Sequence, residues 1–122
     1  MTVATSPPTQ DINVVRGDNK TWLGTVTDSA GVAVNLTGAR VRMQVRKRYD
    51  DTTALISKDS DVGPGEIEIH APTLGKFKAK FVPADTEDLD YNDYRYDVQI
   101  TISSKEKTVV RGVFNILGDV TR

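Results

Sequence analysis

Tyr94, Tyr96, Val98, Ile100 and Ile102 alternate with Arg95, Asp97, Gln99, Thr101 and Ser103, and this period of two constrains the fold more than any other feature. Successive side chains of a strand point to opposite faces, so the run makes one apolar wall and one wet wall. The pattern returns in Val41, Met43 and Val45 between Arg40, Arg42, Gln44 and Arg46. Ile67 and Ile69 repeat it between Glu66, Glu68 and His70, as do Phe77, Ala79 and Phe81 between Lys76, Lys78 and Lys80. Such alternation describes a half-buried antiparallel sheet.

Turn chemistry divides the chain into short strands. Arg16-Gly17-Asp18 closes a first strand over 11–15, and Asp28-Ser29-Ala30-Gly31 closes a second over 21–27. Asn35-Leu36-Thr37-Gly38 reads as a corner with Leu36 plugged into the core, ahead of a third strand over 39–48. Ala54, Leu55 and Ile56 suggest an edge strand, followed by strands over 66–70 and 76–82. Pro83 should end the latter, and residues 84–89 should form one helical turn capped by Asp85 or Thr86. Two long strands over 94–103 and 108–117 close the chain around a turn at 104–107. With 122 residues the chain has the length of one domain. Residues 1–10, containing Pro7-Pro8, are expected to be a flexible N-terminal arm, and residues 11–122 a single domain. Consecutive strands with short links predict an all-β, antiparallel immunoglobulin-like β-sandwich of about 7–9 strands.

Composition removes whole classes of chemistry. Without cysteine there is no disulfide scaffold, thiolate metal site or cysteine nucleophile. A catalytic triad would have to use His70, which falls on the wet side of its strand beside Ala71-Pro72. Asp88 and Asp90 lie in a dense acidic turn where nothing separates their acidities. The acids at 85–93, and Asp50, Asp51, Asp59 and Asp61, offer hard oxygen ligands but lack the spacing of a calcium loop. Gly63-Pro64-Gly65 lacks the lysine and helix of a phosphate loop. Arg16-Gly17-Asp18 matches a tripeptide read by integrins but is ordinary turn chemistry. Asn19-Lys20-Thr21 and Asn35-Leu36-Thr37 are glycosylation sequons in form, and residues 1–10 lack the pattern of a secretion signal. No apolar run approaches the roughly 20 residues of a membrane span. The expectation is a non-enzymatic chain with no catalytic residue, cofactor or metal.

The net charge of −1 argues against a nucleic-acid binder, yet charge is concentrated locally. Arg40, Arg42 and Arg46, and Lys76, Lys78 and Lys80, form two basic ladders without exposed aromatics to stack on bases. Asp85, Glu87, Asp88, Asp90 and Asp93 form an acidic segment with no intervening base. Complementary charge of this kind favours association, so these residues are the candidate assembly interface, a basic face meeting a neighbour's acidic turn.

Read in order, several segments resemble one phage family. Residues 12–18 with Trp22 are similar to the opening strand and Arg-Gly-Asp turn of the immunoglobulin-like N-terminal domain of siphophage baseplate upper proteins. Residues 27–38 resemble that family's D-x-x-G-x-x-V-D/N-L-T-G corner, and Tyr94-Arg95-Tyr96-Asp97-Val98 its Y-x-Y-D-V/I strand. Gly112-Val113-Phe114-Asn115-Ile116 with Asp119-Val120-Thr121 resembles its closing G-x-F-x-I…D-V-T. The resemblance implies a structural protein of a tailed-phage particle, in tail, neck or baseplate, made in the bacterial host cytoplasm. Its partners would be other virion proteins and further copies of itself in a ring or other homo-oligomer, with no membrane. Members of that family continue into further domains, whereas this sequence stops at Arg122. A carbohydrate-binding or adhesin-like module is the alternative, and it would need exposed aromatics aligned on one face.

Overall fold

Arg40–Arg46 illustrates how the alternation becomes architecture: Val41, Met43 and Val45 are buried, and the four polar side chains between them lie on the opposite face. The computed structural model describes residues 10–28, 30–90 and 92–118. The strands are β1 (Ile12–Val15), β2 (Lys20–Thr25), β3 (Arg40–Arg46), β4 (Ile56–Asp59), β5 (Ile67–Ala71), β6 (Lys76–Phe81), β7 (Asp93–Ile102) and β8 (Lys105–Leu117). A 3-10 turn spans Pro72–Leu74, and one helical turn, α1, spans Pro83–Thr86.

The strands form a five-stranded sheet, ordered β1-β8-β7-β3-β4, and a three-stranded sheet, ordered β2-β6-β5. This is the immunoglobulin-like arrangement: β2, β6 and β5 stand where strands B, E and D stand, and β8, β7, β3 and β4 where G, F, C and C′ stand. The sheets enclose one core that includes Trp22, Leu36, Phe77, Phe81, Tyr96 and Phe114. Trp22 of β2 meets Phe77 of β6 and Tyr96 of β7 edge-on, each with ring centroids 5.7 Å apart. Antibody domains join the equivalents of β2 and β7 by a disulfide; here two aromatic rings meet across the sheets. Two residues before Tyr96, the Tyr94 hydroxyl donates to the Asp90 carbonyl at 3.0 Å, the tyrosine corner of such folds.

Several expectations change in detail. Most pairings are antiparallel, but β1 runs parallel to β8, with Ile12 opposite Phe114 and Val15 opposite Leu117. Strands distant in sequence can pair this way because the intervening chain supplies the crossover. The body also begins one residue earlier than expected. The Gln10 N–H donates to the Arg111 carbonyl at 3.0 Å, and the Gln10 carbonyl accepts from the Tyr96 hydroxyl. Gly112 permits that approach, since a Cβ there would lie 2.2 Å from the Gln10 oxygen. The rest of the expected arm, residues 1–9, lies outside the described residues.

The edge strand expected at Ala54-Leu55-Ile56 forms over Ile56–Asp59 instead. Ile56 and Lys58 turn inward, and Leu55 stays exposed. Pro83 opens α1 rather than only ending β6, a position where its missing N–H costs nothing. Neither Asp85 nor Thr86 occupies the cap position, which is Val82. Asp85 reaches back to accept the Val82 N–H at 2.8 Å, and buried Thr86 accepts the Gly17 N–H at 2.9 Å. The Arg16-Gly17-Asp18 turn is thus docked on α1, with Gly17 at the positive φ of 83° that glycine tolerates best. The last hairpin is tighter than expected: Ser103 and Ser104 both take positive φ, and pairing resumes at Lys105 opposite Ile102. Leu36 fills its corner as expected, held by its N–H to the Pro72 carbonyl at 2.8 Å.

Candidate assembly surfaces

The two basic ladders occupy opposite sides of the molecule. Arg40, Arg42 and Arg46 project from the outer face of the five-stranded sheet, because their neighbours Val41, Met43 and Val45 face the core. Lys76, Lys78 and Lys80 project from the outer face of the three-stranded sheet, opposite Phe77, Ala79 and Phe81. A single basic face holding both sets does not form, since alternation tells which residues share a side but not which sheet a strand joins.

On the arginine face, carboxylates and amides of the same sheet hold the guanidinium groups. Arg40 binds Asp59 through two hydrogen bonds, with Asp61 3.4 Å away. Arg42 reaches Glu106 at 2.6 Å and Gln99 at 3.4 Å, and Arg46 donates to Gln44. The bond from Arg40, more than any charge effect, holds the Asp59 carboxyl below the ordinary aspartate range. The cross-strand register adds residues not singled out from the sequence as candidates. Arg95 sits opposite Arg46, Asp97 opposite both Gln44 and Arg111, and the Arg111 guanidinium lies 4.2 Å from the centre of the Tyr49 ring. Arg95 and Asp97 were visible on the wet side of the β7 alternation; Arg111 carried no signal of its own. Partial burial pushes the Asp97 carboxyl above the ordinary aspartate range despite Arg46 and Arg111 nearby. The Nε atoms of Arg42 and Arg46 are buried without a hydrogen-bond partner among the described residues.

The lysine face is simpler. Lys80 pairs with Glu68 at 3.0 Å, which lowers the Glu68 carboxyl, and exposed His70 stands on the same strand as Glu68. The acidic segment divides. Asp85 is committed internally to Lys58 at 2.8 Å and to the Val82 N–H, whereas Glu87, Asp88, Asp90 and Asp93 are exposed. Tyr94 and Tyr96 are buried and Tyr49 stacks on Arg111, so these side chains do not make an aligned aromatic platform.

A shallow groove of about 320 Å³ runs along Lys47, Asp51, Thr52, Thr53 and Leu55. Four of its five lining residues carry polar side chains. Among the described residues, no three His, Asp or Glu side chains gather as metal ligands, and no helix is long and apolar enough to cross a membrane. What the arrangement offers chemically is two charged, pleated surfaces on either side of an apolar core. Compared with known proteins, the chain matches no protein-family model, and no curated protein matches it.

Proposed function

We propose that this chain is a non-enzymatic structural component of a tailed-bacteriophage particle, acting through protein–protein contacts in the tail, neck or baseplate. The observation that carries the reading is the outer face of the five-stranded sheet. There Arg40, Arg42 and Arg46 are held in place by groups of their own sheet, with Arg95 and Arg111 beside them. Arginines ordered before contact lose little side-chain freedom on binding, and their planar forks suit a partner's carboxylates. The resemblance to baseplate upper proteins supports the same reading. Its motifs coincide with the turns that shape the sandwich: the Gly17 turn docked on Thr86, the corner around Leu36 and the Tyr94 bond to Asp90. Acidic side chains at 87–93 offer a complementary surface on a neighbouring copy or on another virion protein.

The test is incorporation into particles. In a phage carrying this gene, density-banded particles should contain the chain by mass spectrometry. Arg46→Glu with Arg95→Glu reverses charge at one cross-strand pair on the wet face and should leave the fold intact while removing the chain from particles. Absence of the wild-type chain from particles sinks the reading, and undiminished incorporation of the folded variant removes the arginine face from it.

A further inference from the structure

The four outer strands of the two sheets are not equally protected. Exposed edges invite pairing with other chains, and proteins blunt them with short strands, bulges, prolines or charges pointing inward. β4 turns Lys58 inward, 7 % exposed. β5 carries a bulge between Glu68 and Ala71 and is followed at once by Pro72. β1 is only four residues long. β2 has none of these devices: it pairs with β6 in unbroken register from Lys20 to Thr25, has no proline and turns no charge inward.

Its free flank can be located from the hydrogen bonds. The Val26 N–H donates to the Gly75 carbonyl at 2.8 Å, while the Lys80 N–H is spent on the carbonyl of Glu66, just before β5, at 2.9 Å. Bonded and non-bonded pairs alternate along an antiparallel ladder, so Lys20, Trp22 and Gly24 turn their backbone groups toward β6. Thr21, Leu23 and Thr25 turn theirs outward, where no described strand meets them. The following hairpin folds back on the β6 side as well, with the Val34 N–H on the Val26 carbonyl at 3.0 Å. The outward residues are symmetric about Leu23, whose side chain is 61 % exposed between two threonines.

We propose that two copies of this chain pair β2 to β2, antiparallel about a two-fold axis at Leu23, joining their three-stranded sheets into one. Leu23 then faces Leu23 of the second copy and Thr21 faces its Thr25, making about six main-chain hydrogen bonds. The leucines meet about 5 Å apart and shield each other from water. The lysine faces do not oppose this. Lys78 stands beside Leu23 on β6, so the two Lys78 residues lie three strand spacings apart, roughly 14 Å. That exceeds the screening length of about 8 Å at physiological salt. The pairing deepens the assembly reading above, for it names the partner of a second surface.

Sedimentation equilibrium from about 1 µM to about 1 mM, a range that covers weak dimers, reads the pairing directly. A monomer–dimer equilibrium is expected. Leu23→Lys places like charges opposite each other and should raise the dissociation constant by at least ~30-fold. Thr21→Pro removes an outward N–H without touching a bond to β6 and should act in the same direction, with circular dichroism reporting an intact fold. Hydrogen exchange at the Leu23 amide should slow as concentration rises. A monomer over the whole range, a dimer indifferent to both variants, or a Leu23 amide equally protected at every dilution would overturn the pairing. A Leu23-dependent dimer absent from particles leaves the pairing and removes the virion role. A monomer present in particles does the reverse.

Discussion

Replacing Tyr96 by Phe should produce a stability difference that changes sign with pH. The Tyr96 hydroxyl is buried and donates to the Gln10 carbonyl, tying the start of β1 to the middle of β7. Burial first, with the charge of Asp11 adding, pushes the phenol well above its ordinary value. At pH 7 the variant loses that bond but keeps the ring against Trp22, so it should be less stable by about 1 kcal/mol. Above pH ~10 the unfolded chain releases this proton while the folded chain retains it. Wild-type stability then falls by about 1.4 kcal/mol per pH unit through this one group. The variant has no such loss, and the two stability curves should cross near pH ~11. Trp22 is the only tryptophan and packs on this ring, so its fluorescence in urea titrations from pH 7 to pH ~11.5 follows both proteins. A gap that stays constant over the whole range would mean that the hydroxyl is not buried as described, and the reasoning would fail.

Other perturbations test the charges. Lys58→Ala strips a partner from Asp85 and the ammonium from over the Phe81 ring, and should cost about 3 kcal/mol in chemical denaturation. Lys58→Met with Asp85→Asn should recover most of that stability and, by removing the inward charge, increase self-association through β4 in light scattering. Asp59 stabilises the fold above the ordinary aspartate range, and that contribution is lost as pH falls through its lowered folded value. Asp59→Asn should therefore lower the thermal midpoint at pH 7, with the difference fading below pH ~4. Asp97 has the opposite sign: burial raises its folded value, so ionisation works against the fold. Asp97→Asn should raise the midpoint at pH 7 and remove the stability that wild type gains on acidification.

The inward and outward residues of β3, β6 and β7 were readable from the sequence because each strand repeats its alternation over six or more positions. The edge at β4 was not, since its inner face includes a lysine whose partner, Asp85, lies 27 residues away. Apolar Leu55 drew the strand two residues too early, although a charged residue paired with a counterion can take an inward place. The pairing of β1 with β8 joins residues 102 apart and left no local mark. The candidate interface suffered from the same blindness. Both basic ladders were recognised as strand faces, but only the topology separates them onto opposite sheets. The neighbours Arg95, Asp97 and Arg111 enter through cross-strand register, which a linear pattern does not contain.

Where antibody domains place a covalent bridge between their sheets, this chain has Trp22 against Tyr96. A ring contact has no reduction potential, so the clasp closes when the sheets meet and does not wait for an oxidant. The same folded body can form among the thiols of a cell and persist in air-equilibrated medium, with no bond to make or lose on the way.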